Sequence, residues 1–270
     1  MFVEHSDVLR ITRLCGELEE FPVAASEEAL KHCMQELCRI VGASNAFWVG
    51  GIRKPDSPRT GKSLGWKPAQ YAHLHASATR LKLVAQLARD ITDSKPDPLT
   101  EANLAHAGHS RAALRQELVD DGTWKSCLMY NEILRPAGVE HRLLGTHSIN
   151  PLAESHVGLD RGPDDKPFSD KERDLVYLFI AGAPGFQRDL MRVRGLIGTR
   201  AGLTLRERDV LRLLLTDKSE KEIAAELGLS WRTTHHYVTA LFRKFDAKSR
   251  TGLMAQFLGS TGPARVRQLQ

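Results

Sequence analysis

The part of the chain that most restricts its fold lies between residues 203 and 258, where the signals of four short helices follow one another. Thr204–Glu207 and Ser219–Glu222 each have the Ser/Thr-x-x-Glu pattern of a capping box, which satisfies two free backbone N–H groups at a helix start. Gly228 can take the left-handed conformation that ends a helix, and Ser230 can cap the next one. A last amphipathic helix is expected over 250–258. The pattern predicts an all-α four-helix domain.

The third of these helices, over 231–245, has two chemically different sides. Apolar or small residues recur at helical spacing along one side, at Thr234, Val238, Leu241, Phe242 and Phe245. The opposite side carries only hydrogen-bond donors and no acid, at Arg232, His235, His236, Thr239 and Arg243. A helix fits the major groove of duplex DNA, where each base pair presents its own donor and acceptor pattern. An ordinary solvated helix face is the competing interpretation of this pattern alone.

The charge of the chain is unevenly distributed. Residues 192–270 contain fifteen Lys/Arg and seven Asp/Glu, while the rest of the chain has a small acidic excess. Because phosphate contacts supply most non-specific DNA affinity, this basic segment favours a polyanionic partner.

Several stretches resemble a known family: Leu203–Leu211, Lys221–Ala224, Leu227–Ser230, Thr233, Lys244 and Ser249–Arg250. Together they are similar, without gaps, to the LuxR/GerE-type helix-turn-helix of transcriptional regulators. The resemblance implies that the third helix enters the major groove. It implies base contacts by His235, His236 and Thr239, and phosphate contacts by Arg232, Thr233 and Lys244, with Arg243 on the same side. It also implies a homodimer through the last helix, at Leu253, Met254 and Phe257.

Two charged family positions have another expected role. Glu207 and Arg250 could form an ion pair between the first and fourth helices, and two separate solvated charges are the alternative. The sequence departs from the family pattern at Leu205, Thr234 and Tyr237, and carries histidines where many relatives have lysine. These departures affect the expected operator rather than the fold.

The first 194 residues predict an α+β domain. Helices are expected over 1–43, 69–92 and 100–135, and strands over 46–49, 142–149 and 155–160. Ser169–Glu172 is a capping box that opens a long helix, which Pro184 kinks or splits. Segments 124–136, 143–149, 157–161 and 168–174 are loosely similar to GAF-like sensor regions. The fold class is therefore a GAF/PAS-like α+β sensor followed by an all-α helix-turn-helix domain.

Such sensors hold a small molecule between sheet and helices. The candidate pocket residues are aromatic, namely Trp48, Trp66, Tyr71, Trp124 and Tyr130, although core packing alone would also explain any one of them. A phosphorylated receiver domain does not fit, since no acidic cluster follows the first strand. An acyl-homoserine-lactone-binding domain fits in size and in the order of Trp66 and Tyr71, but the spacing differs and the partner Asp is missing.

Other activities find little support in the sequence. Thr60–Ser63 ends like a P-loop, but Asp56 replaces the first glycine and Pro58 removes an amide. The histidine pairs at 73/75 and 106/109 lack further ligands, so we expect no metal, no cofactor and no catalysis. No apolar stretch is long enough to cross a membrane, and with no apparent signal peptide we expect a cytoplasmic protein with reduced cysteines.

We therefore expect a sensor domain over 1–194, a linker over 195–202, a DNA-binding domain over 203–258 and a flexible tail over 259–270. The expected function is a sequence-specific transcriptional regulator that binds double-stranded DNA as a homodimer and responds to an unknown small-molecule effector. The resemblance also allows a contact with RNA polymerase. The alternative is a protein-interaction module whose C-terminal helices mediate assembly, and an enzyme is not expected.

Overall fold

The computed structural model describes residues 4–54, 62–76, 81, 85 and 96–258. The chain divides into two packing units, one of Met1–Glu20 with Glu27–Gln187 and one of Phe21–Ser26 with Arg188–Gln270. This division differs from the expected domain limits, because Phe21–Ser26 and residues 188–202 pack with the C-terminal helices. The limits of functional domains therefore stay a prediction, and the expected tail lies outside the described residues.

The first unit is a mixed α+β structure built on a five-stranded antiparallel sheet in the order β2-β1-β5-β4-β3. Its strands are β1 (Asn45–Arg53), β2 (Trp66–His73), β3 (Arg111–Leu114), β4 (His141–Asn150) and β5 (Ala153–Arg161). Its helices are α1 (His5–Glu20), α2 (Ser26–Val41), α3 (Pro98–Ala105), α4 (Arg115–Leu118), α5 (Asp121–Ser126), a π-helical turn (Met129–Leu134) and α6 (Asp170–Gly182).

The two edge strands correct the sequence analysis, which placed helices over 69–92 and 100–135. Trp66–His73 pairs with β1 instead, and the register shift at Gly50/Gly51 accommodates Pro68 on an edge where no donor is needed. Arg111–Leu114 pairs with β4 over four residues. Two of these are alanines, whose high helix propensity made the segment resemble a helix in sequence. The other expected strands and the helices over 1–43 are confirmed. Of residues 77–95, only Leu81 and Ala85 lie within the described part, and both are helical.

The two faces of the sheet meet different neighbours. On one face α6 packs over β3 and β4, so closely that a Cβ at Gly145 would lie 2.7 Å from Val176. The buried Trp48 ring, on β1, donates its Nε1–H to Ser155 at 2.7 Å. On the other face the Phe47 ring lies directly over Gly158, its register partner on β5. That face forms the wall of the cavity described below.

Helix α6 begins and ends where the sequence predicts. The Ser169 hydroxyl accepts from the Glu172 N–H while the Glu172 carboxylate accepts from the Ser169 N–H, which is a complete capping box. The helix ends at Gly182, and Pro184 opens a new helix, α7 (Pro184–Val193). Among the described residues, no helix combines the length and apolarity needed to cross a membrane.

The second unit contains four further helices, α8 (Leu205–Leu214), α9 (Glu220–Leu227), α10 (Trp231–Phe245) and α11 (Arg250–Leu258). The capping boxes of α8 and α9 are present, Gly228 is left-handed at φ 64°, and Ser230 caps α10. These predictions are confirmed. The core is formed by buried side chains from all four helices, including Val210, Leu211, Leu214, Ile223, Val238, Leu241, Phe245, Leu253 and Phe257.

The expected flexible joint over 195–202 is ordered packing within this unit. Gly195 has a φ of 69°, and an added Cβ would lie 2.3 Å from the Leu203 side chain. Thr199 Oγ1 donates to the Gly195 carbonyl, and the Arg200 N–H donates to the Lys244 carbonyl. The glycine is required by backbone geometry and a close approach rather than by mobility.

We predict that Gly158→Ala destabilises the first unit by about 1–3 kcal/mol, because the methyl group would overpack against the Phe47 ring. A Cβ added at residue 158 would lie 2.0 Å from a ring carbon of Phe47. Urea unfolding followed by tryptophan fluorescence measures the change. Gly16→Ala is the matched control, since a Cβ there meets nothing within 4 Å and should stabilise α1. Equal stability of the Gly158→Ala protein and the wild type would contradict the proposed packing.

Candidate functional site

Helix α10 has one buried and one exposed side, as its sequence predicts. Thr234, Val238, Leu241 and Phe245 are buried in the core of the second unit, and Phe242 is half-buried. The predicted DNA-contacting side chains on the helix are exposed, except for the half-buried Lys244: Arg232, Thr233, His235, His236, Thr239 and Arg243. The helix therefore presents its donor-rich side on the surface of its own unit.

The start of α10 is fixed by local hydrogen bonds. The left-handed Gly228 turns the chain after α9, and the Ser230 hydroxyl then accepts from the Thr233 N–H at 3.0 Å. The Thr233 hydroxyl lies 2.8 Å from the same Ser230 oxygen. A cap of this kind contributes about 1 kcal/mol and holds the first turn of the helix in place.

An acidic side chain contacts the donor-rich side, which the sequence analysis missed. The Glu220 carboxylate, at the first residue of α9, accepts from His235 Nδ1 at 3.0 Å. The Trp231 ring stacks on the His235 ring with centroids 5.4 Å apart and planes at 18°. The helical spacing of Trp231 and His235 could have indicated the stack, whereas Glu220 is fifteen residues away from His235 and reaches it only through the turn.

Lys244 is engaged inside the second unit. Its ammonium donates to Glu207 Oε2 at 2.7 Å and to the Gly202 carbonyl at 2.8 Å. Burial opposes ionisation of Glu207, but hydrogen bonds from Lys244 and Thr204 outweigh it, so the pKa of this carboxyl lies below its ordinary value. The pair ties α10 to the start of α8.

The expected ion pair between Glu207 and Arg250 is wrong. Arg250 instead donates to three backbone carbonyl oxygens at the end of α8 and after it, those of Leu214, Thr216 and Lys218. These carbonyls have no partner within the helix, and a fork-shaped guanidinium can satisfy several of them at once. Arg250 is a helix-end clamp.

The predicted dimer residues on α11 are mostly internal. Leu253 and Phe257 are buried in the unit's own core, where Phe257 packs against Phe245. Met254 is half-buried. A contact between copies through α11 would involve Met254 and its exposed neighbours.

The first unit contains a cavity on the sheet face opposite α6. Its volume is about 1030 Å³, including open solvent at its mouth, and most of its surface is apolar. The sheet contributes Phe47, Val49, Gly51, Trp66, Lys67, Pro68, Tyr71, His73, Arg142, Leu144 and His156, and the other side contributes Asp97, Leu99, Thr100, Asn103, Leu104 and Met129. A concave, mostly apolar space with a few polar groups is typical of small-molecule sites.

The polar groups at this cavity are held by a hydrogen-bond network. Arg142 lies over the Phe47 ring at 4.7 Å and pairs with the buried Asp160 through two hydrogen bonds. Glu154, fully buried beside the cavity, accepts from Arg111 through both carboxylate oxygens and from the Gly108 N–H. Both acidic groups are therefore neutralised by an arginine.

His156 is the histidine of this network that faces the cavity. Burial lowers its pKa to about 4, so the ring is neutral at pH 7. Its Nδ1 lies 3.0 Å from the hydroxyl of Thr146, which is completely buried, and its Nε2 lies 3.7 Å from Glu154. When the Thr146 hydroxyl donates to Nδ1 of His156, both the hydroxyl and Nδ1 have a hydrogen-bond partner. The hydrogen of the neutral imidazole is then on Nε2.

Two of the five predicted pocket residues, Trp66 and Tyr71, line this cavity. The other three lie elsewhere. Trp48 belongs to the opposite sheet face, Trp124 is fully buried in a separate apolar cluster, and the Tyr130 hydroxyl donates to Glu140. The aromatic character of these residues does not indicate which face of the sheet each one occupies, because strand register determines the face.

The metal and nucleotide motifs considered in the sequence analysis lie partly outside the described residues. No group of three or more His, Cys, Asp or Glu side chains is placed to hold a metal ion in the part of the chain that the structure describes. Of the P-loop-like segment, Asp56, Pro58, Thr60 and Gly61 lie outside that part.

Comparison with known proteins agrees with the geometry of the second unit. The sequence model of the bacterial regulatory proteins of the luxR family, GerE, matches residues 201–256. The spore germination protein GerE of Bacillus subtilis (strain 168) is 39% identical over 56 residues, which are 21% of this chain and 76% of the relative. The chain belongs to the luxR family of bacterial regulatory proteins. Members of this family regulate transcription and are not enzymes.

Two further similarities extend the comparison. An uncharacterized transcriptional regulatory protein, YvfU of Bacillus subtilis (strain 168), is 43% identical over 49 residues, or 18% of this chain and 24% of that protein. A solved structure of SdiA in complex with octanoyl-rac-glycerol aligns with a TM-score of 0.52 at 16% identity, covering 97% of this chain and 98% of that one. The alignment with SdiA shows a shared fold. This luxR-family chain is thus a regulator of transcription.

We predict that Lys244→Met lowers the free energy of unfolding by about 2 kcal/mol near pH 7, because it leaves the buried Glu207 carboxylate without its cation. Since the folded-state pKa of Glu207 is depressed, its contribution is complete above the ordinary value of 4.5 and is lost as the pH falls through the folded-state pKa. The difference between variant and wild type should therefore shrink in acid.

Chemical unfolding between about pH 7 and pH 4 measures this difference. Lys221→Met, at an exposed lysine on α9, is the control for the loss of one charge. A Lys244→Met protein as stable as the Lys221→Met protein would show that Lys244 has no structural role.

Proposed function

We propose that this chain is a sequence-specific transcriptional regulator in which α10 lies in the major groove of double-stranded DNA. The observation that carries the proposal is the exposed, donor-rich side of α10, held by a capped turn and a buried core. A rigid helix with free donors on one side is what base-edge contacts require.

The roles divide by position along the helix. His235, His236 and Thr239 are assigned to base edges, and Arg232, Thr233 and Arg243 to phosphates, which fix orientation and supply salt-dependent affinity. Lys244 was predicted as a phosphate contact, but it could serve as one only by leaving Glu207. We therefore assign it to the stability of the second unit.

For the first unit we propose a sensor of a small neutral molecule, with a GAF-like organisation of sheet and covering helices. An apolar body would fill the cavity beside Trp66 and Tyr71, and the His156 Nε2–H would donate to a carbonyl or hydroxyl oxygen. The buried Glu154 carboxylate and the paired state of Arg111 and Arg142 disfavour an anionic ligand. Octanoyl-rac-glycerol, which the similar SdiA structure contains, has this chemistry.

Assembly and location complete the proposal. We infer a homodimer formed in part through Met254 and the exposed side of α11, a contact with RNA polymerase, and action in the cytoplasm, where bacterial DNA is found. The alternative function is a protein-interaction module, in which the second unit binds proteins rather than DNA.

For DNA binding, we predict that Arg232→Ala weakens binding of the full chain to duplexes enriched from a random pool by about tenfold, and reduces the slope of log affinity against log salt by about one. Arg206→Ala, at an exposed arginine on α8, removes the same charge away from the α10 face and should change affinity little. Fluorescence anisotropy over a salt series measures both.

Equal losses in the two variants would mean that only net charge matters and would contradict groove recognition by α10. If the wild type enriches no duplex and shows no steep salt dependence, the regulator proposal fails and the interaction module is favoured.

For ligand sensing, we predict that octanoyl-rac-glycerol raises the thermal unfolding temperature of the full chain while octanoate, an anion of the same chain length, does not. His156→Leu should weaken calorimetric binding of octanoyl-rac-glycerol about tenfold through loss of one buried hydrogen bond. His109→Leu, at an exposed histidine, is the control. Equal binding by both variants, or preferred binding of octanoate, would contradict the proposed ligand chemistry.

A further inference from the structure

His235 is held in a fixed orientation on the DNA-facing side of α10. Its Nδ1 contacts the Glu220 carboxylate at 3.0 Å, and its ring stacks on Trp231 at a centroid distance of 5.4 Å. The imidazole therefore has a partner at one ring nitrogen and a partner across one face. The Nε2 atom, on the far side of the ring from Nδ1, has no contact of this kind among the described residues.

The Glu220 contact determines which nitrogen carries the hydrogen. An ionised carboxylate has no hydrogen to give, so a hydrogen bond between it and Nδ1 requires Nδ1 to be the donor. A neutral imidazole has one N–H, and with that hydrogen on Nδ1 the Nε2 atom is a bare acceptor. Glu220, on the preceding helix, thus makes Nε2 of His235 a hydrogen-bond acceptor on a side of α10 whose other residues can donate.

We propose that His235 is a specificity-determining residue that accepts a hydrogen bond from an exocyclic amino group, N6–H of adenine or N4–H of cytosine. Guanine and thymine present only acceptors at the corresponding major-groove positions, and a bare Nε2 repels them. The inference rests on the proposed DNA-binding function and adds to it the class of base that one position selects.

Glu220 is the charged group that contacts His235 in the described part of the chain, and Arg232, His236 and Thr239 share its side of α10.

His236 provides an internal control. It lies beside His235 and is exposed, but its ring contact is with Tyr237, edge-on at 6.2 Å, and no carboxylate contacts it in the described residues. Nothing comparable fixes its tautomer, so its base preference should not depend on Glu220.

The test is selection of binding sites from randomised duplexes by the full chain at about pH 8. The base pair read by His235 is the one whose preference disappears in His235→Ala. We expect that position to favour adenine or cytosine about tenfold over guanine or thymine.

Glu220→Gln separates the tautomer argument from a simple contact. A glutamine amide can donate or accept, so Nδ1 need no longer carry the hydrogen, and the preference should fall several-fold while other positions keep theirs. His236→Ala should alter a different position and leave the preference at the His235 position intact. Circular dichroism of each variant confirms that the helices are retained.

Several outcomes would overturn the inference. If the His235 position favours guanine or thymine at about pH 8, or if Glu220→Gln leaves its preference unchanged, the tautomer assignment is wrong while DNA binding stands. If His235→Ala alters no position, His235 is not a base-reading residue. If the wild type enriches no sequence, the proposed function itself fails, and this inference fails with it.

Discussion

Three ion pairs along β5, each with its β5 member buried, set the conditions for the rest of the first unit. This central strand carries Glu154, Asp160 and Arg161, and each is matched by an opposite charge from another element: Arg111 on β3, Arg142 on β4 and Glu172 at the start of α6. Loss of one partner of a buried pair typically costs about 3–5 kcal/mol, so the strand is compatible with one arrangement of its neighbours. Arg161 extends this constraint, since its guanidinium also donates to backbone carbonyls after α2 and before α6.

The same pairs give the cavity its chemistry. Because Arg111 and Arg142 are already committed to carboxylates, the cavity wall offers no unpaired cation from either of them, and Arg142 instead covers the Phe47 ring. Among the polar groups that line the cavity, the neutral His156 lies on this strand. A strand that needs charge balance for folding thereby contributes an uncharged polar group to the site. Stability and ligand selection have a common origin in the register of β4, β5 and β3.

How far the sequence predicts the structure depends on how local the determining contacts are. The caps at Thr204, Ser219 and Ser230 and the left-handed Gly228 act over three or four residues, and the sequence placed α8, α9 and α10 correctly from them. The edge strands β2 and β3 have helix-like or proline-containing sequences and exist through pairing with distant strands, so periodicity could not find them. For the same reason, only some of the predicted pocket residues line the cavity. A sequence identifies aromatic residues, but the sheet face that Trp48 or Trp66 occupies depends on strand register. Glu220 and the Glu207–Lys244 pair required the fold of the second unit.

Two histidines show how one side chain can serve opposite purposes according to the partner of its Nδ1. In the first unit the Thr146 hydroxyl can give its hydrogen to Nδ1 of His156, which leaves Nε2 as a donor facing the cavity. In the second unit the Glu220 carboxylate can only accept from Nδ1 of His235, which leaves Nε2 as an acceptor facing outward. Burial keeps His156 neutral down to a pKa of about 4, so its polarity is constant over the physiological range. The His235 ring is exposed on the donor-rich side of α10, so the acceptor fixed by Glu220 lies on the surface where the proposed base contact is made.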